Sequence, residues 1–192
     1  MNTPGSALAE RALRARNLRT LGALAALFIL PLAVAFFTYY GTSWRPAGRV
    51  NHGVLISPPR TLPALSLFRG HWSLVYVGDG ACATECRQTL MVMRQTRLGL
   101  NNDMTRVARV FLATADCCAR DFLAQQHPGL EVLDATGADG AALARQFPLE
   151  GRAYSLYLVD PLGNLMMSYD ARQNPHGLLD DLKKLLRLSQ IG

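Results

Sequence analysis

Lysine is almost missing from this chain: Lys183 and Lys184 are the only two, and arginine carries nearly all the positive charge. Arg11, Arg14, Arg16 and Arg19, four charges offset by Glu10, put +3 of the +6 net charge into the first twenty residues. What remains is mildly basic and unclustered, which argues against a nucleic-acid partner, because a phosphate backbone asks for a concentrated basic face. Internal repeats and low-complexity tracts are missing too, which sets aside a repeat architecture. Cysteine is scarce, with four residues in two close pairs, Cys82/Cys86 and Cys117/Cys118. Disulfide-stapled secreted domains spread their cysteines to close long loops, so close pairing points to chemistry rather than scaffolding. An inert buried cysteine is the competing reading for each of them.

Charge is also absent from Leu21 to Tyr40, LGALAALFILPLAVAFFTYY. About 20 apolar residues span a bilayer, and the arginines just ahead of this run hold the N-terminus in the cytoplasm by the positive-inside rule. Phe36, Phe37, Tyr39, Tyr40 and Trp44 suit the far interface. A signal peptide cleaved near Ala33-Val34-Ala35 is the alternative, but the apolar run continues past that site. The expected organisation is a cytoplasmic tail over 1–20, a transmembrane anchor over 21–40, a linker over 41–66 broken by Pro46, Pro58, Pro59 and Pro63, and a domain over 67–192. At 192 residues the chain has room for one domain and an anchor. Asn51 to Ile56 is expected to lay a short extended segment ahead of the domain, with His52 in a surface or capping role.

Within the domain, Trp72–Val77 and Val107–Ala113 read as buried strands, and Leu130–Leu133 as a brief one. Ser155–Val159 and Leu165–Tyr169 flank the turn signal Asp160-Pro161-Leu162-Gly163-Asn164 and read as a hairpin. Helices are expected over Cys82–Leu98, Ala119–Gln126 and Gly140–Phe147. A last one runs over Leu178–Leu188, where leucines form one stripe at helical spacing. This order predicts an α/β fold, a mixed sheet flanked by helices in the thioredoxin-like arrangement, behind one N-terminal transmembrane helix.

Cys82 and Cys86 fall where the first strand hands over to a helix, whose free N–H groups and partial positive charge stabilise a thiolate. Within a regular helix, Cβ atoms four residues apart are about 5–6 Å from one another, whereas a relaxed disulfide wants about 3.8 Å. Bridging therefore requires Cys82 to sit in the loop; two thiolates at this spacing can alternatively hold Cu(I). Cys117 and Cys118 follow the second strand. If the first two strands are parallel neighbours, both pairs share one sheet edge, close enough to exchange electrons or share a metal.

The Cys82-x3-Cys86 pair after a strand and glycine-containing loop, and the hairpin Tyr157-Leu158-Val159-Asp160-Pro161-Leu162-Gly163, resemble the Sco/SenC family. These are thioredoxin-fold proteins that help to mature the copper centre of cytochrome c oxidase. The likeness runs from about Leu67 to the C-terminus and takes in the anchor, with the Asn51–Ile56 stretch as a softer similarity. It implies a factor acting by thiol–disulfide exchange, with or without transient copper binding, on an oxidase subunit or copper chaperone. In that role Cys82 is the more exposed nucleophile and Cys86 resolves the mixed disulfide.

Two departures stand out: Ala83 replaces the family's usual proline, and Arg152 occupies the position of its copper-binding histidine, five residues before Tyr157. A guanidinium cannot ligate copper. Cys117 or Cys118 is the first replacement ligand, ahead of His127, His176 and His71, while Met91, Met93, Met166 and Met167 read as core. Arg152 could instead lower the thiols' pKa. A general thiol oxidoreductase or peroxidase of the same fold and a non-catalytic assembly scaffold are the other functions in play. The short anchor, with no recognisable transit peptide, favours a bacterial inner membrane, with the domain facing the periplasm.

Overall fold

The computed structural model describes residues 4–41, 50–63 and 65–191, and divides into two compact units, 1–48 and 49–192. The described residues of the first unit form one helix, α1 (Pro4–Gly41). Proline suits a first helical position, where its missing N–H has no partner to lose. The segment Arg16–Gly41 is long and apolar enough to cross a membrane, which fits a single-pass membrane protein. The helix extends the expected anchor backwards through most of the tail. Trp44 and Pro46, read as interfacial and linker residues, lie outside the described residues.

The second unit holds β1 (Val54–Thr61), α2 (Leu65–Phe68), β2 (Trp72–Gly78), α3 (Thr84–Leu98), β3 (Val107–Ala113), α4 (Arg120–Gln126), β4 (Glu131–Asp134), α5 (Ala138–Ala144), β5 (Ser155–Val159), β6 (Asn164–Asp170) and α6 (Pro175–Leu188). Its six strands form one sheet in the order β1-β6-β5-β2-β3-β4. The strands β2, β3 and β4 run parallel, and β5 is antiparallel to both β2 and β6. Central strands covered on both faces read as continuous apolar runs, and β2 and β5 are buried throughout apart from the half-buried Gly78.

Alternate residues of β2 divide between two cores. Trp72, Leu74 and Tyr76 pack with α3 and α6 on one face; Val75 and Val77 pack with Leu143 and Phe147 on the other. The hairpin turn closes as its sequence predicts: the Asp160 carboxylate accepts from the N–H of Leu162 and of Asn164, at 2.9 and 2.8 Å. Gly163 supplies the left-handed φ of 86°.

The segment expected as linker contributes a strand to the sheet. Pro58 and Pro59 cannot donate to a ladder, and β1 accommodates them at the sheet edge. It pairs with β6 at Val54/Leu55 and again at Arg60/Thr61, with an irregularity between. The lead-in to β1 is tied to α6 through Asp181, which is 5% exposed. Its carboxylate accepts from the backbone N–H of His52 (2.8 Å) and Gly53 (3.1 Å) and from the Tyr169 hydroxyl (3.0 Å). The His52 ring, expected in a surface or capping role, lies 3.2 Å from the same carboxylate.

Candidate functional site

Parallel pairing of β2 and β3 runs in register from Trp72↔Val107 to Gly78↔Ala113, so the two strands end side by side. Their following loops carry the two cysteine pairs and are laced together by backbone hydrogen bonds. Gly80 N–H donates to Ala115 O (2.7 Å), Ala119 N–H to Gly80 O (2.8 Å), and Thr114 N–H to Gly78 O (2.8 Å). A Cβ on Gly80 would come within 2.7 Å of both Ala115 O and the Cys117 Cα. Only glycine permits this approach, and it is what lays the second cysteine loop against the first.

Asp79 shapes the turn into α3 by accepting from the Ala81 N–H at 2.8 Å, while its carbonyl accepts from the Cys82 N–H at 3.2 Å. Cys82 therefore stands outside the helix, with a left-handed φ of 50°, and Cys86 in its first turn. This is the condition that the spacing set for bridging, and the two are joined by a disulfide with their Cα atoms 4.9 Å apart. Cys117 and Cys118 are also bridged. A non-glycine residue at positive φ costs on the order of 1 kcal/mol, so the Cys82 conformation rests on its surroundings. Arg87 is one of those supports: its Nε–H donates to Cys82 O at 3.0 Å, and its guanidinium lies 4.6 Å from the Phe122 ring centroid, pinning the loop to α4. Neither Gly80 nor Arg87 was singled out in the sequence. The close Gly78-Asp79-Gly80 spacing was a signal for the first, and the second had none.

Cys82 does not have the exposure expected of it: it is 0% exposed and Cys86 4%. Its side chain points into the α3-side core, where Cys117, Cys118 and Phe122 pack against the same cluster. Cys117 and Cys118 are only half-buried. Tyr76 belongs to the same buried cluster as Cys82 and Cys86. Burial, with Glu85 and Asp79 nearby, pushes its phenol up to about 12, so the hydroxyl stays protonated and donates to Ala153 O at 3.2 Å.

Arg152 is engaged elsewhere. Its guanidinium donates to the carbonyl oxygens of Ala144 (3.0 Å), Phe147 (2.5 Å) and Pro148 (3.3 Å), closing off the end of α5. Those bonds account for its place in the chain without any thiol. Arg152→Ala is expected to lower unfolding stability by about 1–3 kcal/mol through the carbonyls it strands, while leaving thiol-exchange rates unchanged. Urea unfolding beside an exchange assay reads both quantities.

Among the described residues, no group of three or more His, Cys, Asp or Glu side chains is placed to hold a metal ion. The three-donor copper site implied by the resemblance does not fit the residues present. Met93 and Met167 are core, as expected; Met91 and His176 are exposed. His127, at the end of α4, is 2% exposed with Nδ1 lacking a hydrogen-bond partner among the described residues. Burial, with Arg109 and Arg94 nearby, holds its pKa below the ordinary 6.5. The unfolded chain then binds the proton more readily, so this contribution to stability is complete above that value and fades as pH falls below it. Thermal unfolding between pH 7 and 5 is expected to show that decline, and His127→Gln to flatten it.

A family model for the transmembrane-like, thioredoxin-like C-terminal domain matches residues 72–189, a span that includes both cysteine pairs. The chain belongs to this family. Solved structures extend the likeness of the thioredoxin-like domain to Sco proteins. ScoI of Arabidopsis thaliana with copper bound is 19% identical, with 68% of this chain and 98% of that one covered at a TM-score of 0.54. Apo Sco1 of Thermus thermophilus is 18% identical, covering 75% and 100% at 0.53. Yeast Sco1 with copper bound is 18% identical, covering 74% and 96% at 0.51. The Sco/SenC resemblance in the sequence thus holds at the level of the fold. Comparison with curated protein sequences finds no match.

Proposed function

We propose that this chain is a membrane-anchored, Sco-like thiol–disulfide exchange factor that reduces the copper-site cysteine pair of a cytochrome c oxidase subunit or of a copper chaperone. One observation carries the reading: Cys82 and Cys86 form a disulfide at a strand-to-helix junction, where the start of α3 stabilises the thiolate released when the bond opens. Arg152 in place of a ligand turns the reading towards electrons rather than stored metal.

In the exchange, the Cys82 thiolate attacks one sulfur of the oxidised partner, whose other sulfur leaves as a thiolate. Cys86 then attacks Cys82, releasing the partner's second thiolate and re-forming the Cys82–Cys86 bond. Two electrons and two protons pass to the partner. In the reduced state Cys82 is freed from its cross-link and can leave the left-handed conformation, which opens the loop to a client. As thiolates, Cys82 and Cys86 can hold Cu(I) transiently between two sulfurs, but no step of the exchange passes through copper. The arginines in the first half of α1, ahead of its uncharged run from Leu21, favour an inner-membrane protein with its domain in the periplasm.

The test mixes reduced full-length chain in detergent with an oxidised copper-domain of an oxidase subunit and counts thiols on both. Stoichiometric transfer to the client, abolished in Cys82→Ser, is expected. Equal transfer by that variant would discard the reading.

A further inference from the structure

The exchange described above uses Cys82 and Cys86, yet they are the buried pair. Solvent reaches Cys117 and Cys118, which are half-buried and line a cavity of about 500 Å³ together with Arg120, Leu123, His127 and Pro128. Cys82 and Cys86 do not line it. The two loops nevertheless touch at backbone level, through the Gly80–Ala115 and Ala119–Gly80 hydrogen bonds and the approach of Gly80 to the Cys117 Cα. Cys82 follows two residues after that contact, and Cys86 is a helical turn further on. A protein thiol arriving from outside therefore meets the vicinal pair first, and the vicinal pair lies beside the buried one.

We infer that Cys117–Cys118 is a relay, taking electrons from a partner protein's dithiol in this cavity and passing them inward to Cys82–Cys86. The inference rests on the exchange function proposed above and names how the oxidised chain is recharged. A partner thiolate attacks the vicinal disulfide and forms a mixed disulfide, which the partner's second thiolate resolves. The partner leaves as a disulfide, and Cys117 and Cys118 have gained two electrons and two protons. The Cys117 thiolate then attacks Cys82 Sγ, and Cys86 leaves as a thiolate. Cys118 attacks Cys117, expelling Cys82 as a thiolate and restoring the Cys117–Cys118 bond. The net result is one partner dithiol oxidised and one buried disulfide opened. His127, itself 2% exposed, forms part of the wall of the same cavity.

The test uses the oxidised full chain in detergent with reduced thioredoxin as the protein dithiol, and follows opening of Cys82–Cys86 by alkylation and peptide mapping. Replacing both residues, Cys117→Ser with Cys118→Ser, is expected to slow that opening by about 10-fold or more, since access to the buried pair is lost. Dithiothreitol should still open Cys82–Cys86 in the variant, confirming that the pair remains intact. In Cys118→Ser alone, Cys117 has no resolving neighbour, and a Cys82–Cys117 bond is expected to accumulate. An unchanged opening rate in the double variant, or only the Cys82–Cys86 bond in Cys118→Ser, would overturn the relay. If the wild-type Cys82–Cys86 bond resisted every dithiol while folded, the exchange function itself would fail, a distinct outcome.

Discussion

In a chain carrying Cys86→Ser, with Cys117→Ser and Cys118→Ser to remove the neighbouring thiols, a client is expected to remain covalently attached through Cys82. The first displacement needs only the Cys82 thiolate; the second needs a thiolate held against Cys82. Cys86 provides it from the first turn of α3, with the two Cα atoms 4.9 Å apart, so resolution is intramolecular and rapid. Without it, release waits for an external thiol, and client turnover is expected to fall by about 100-fold or more. Non-reducing electrophoresis and peptide mapping would identify the adduct. The reciprocal variant, Cys82→Ser in the same background, is expected to form none, because Cys86 is fixed within the first turn of α3, whereas Cys82 stands in the loop ahead of it. Equal trapping by both variants would contradict the assignment of Cys82 as the attacking residue.

Replacing Asp181 with alanine is expected to cause the largest loss of stability away from the cysteines. Besides the His52 ring, three donors converge on this carboxylate, the N–H groups of His52 and Gly53 and the hydroxyl of Tyr169, and all three would lose their acceptor. At about 1 kcal/mol or more for each stranded donor, the cost is about 3 kcal/mol, or a fall of roughly 10 °C in Tm for a domain of this size. Burial by itself would raise the Asp181 carboxyl, but the hydrogen bonds from Gly53, His52 and Tyr169 outweigh it and hold the group below its ordinary 3.8. The wild-type domain therefore gains stability from this group above that pH and loses it as pH falls through the lowered value. The alanine variant lacks that dependence. Denaturant unfolding at pH 7 and pH 3 measures both effects, and exchange chemistry at Cys82 should survive in the folded fraction.

Local pattern located the central elements because their burial is near-uniform. Val107–Ala113 and Ser155–Val159 coincide with β3 and β5 residue for residue, since a strand covered on both faces is a nearly continuous apolar run, interrupted here only by Arg109 and Ser155. The sheet edge was harder to read. Pro58 and Pro59 argue against a strand, and β1 pairs on either side of them, a feature set by β6 rather than by β1's own residues. Three-dimensional context also decided the site. The position of Cys82 outside the helix followed from disulfide geometry, but its burial depends on α4 and on the loop after β3, neither near it in sequence. Arg152 looked like a neighbour of thiols because it stands where a ligand stands in a related pattern. Its guanidinium instead answers three carbonyls at the end of α5. Asp181 gave no signal, being one acid among the leucines of an amphipathic helix.

The most direct measurement is the redox equilibrium of Cys82–Cys86 in the folded full-length chain, held in graded ratios of reduced to oxidised glutathione and quantified by alkylation and mass spectrometry. Reversible opening and closing as a single two-electron couple, with the fold retained on both sides of the midpoint, is the expected result. A bond that yields only when the domain unfolds would mark Cys82–Cys86 as a structural staple and contradict a role in thiol exchange.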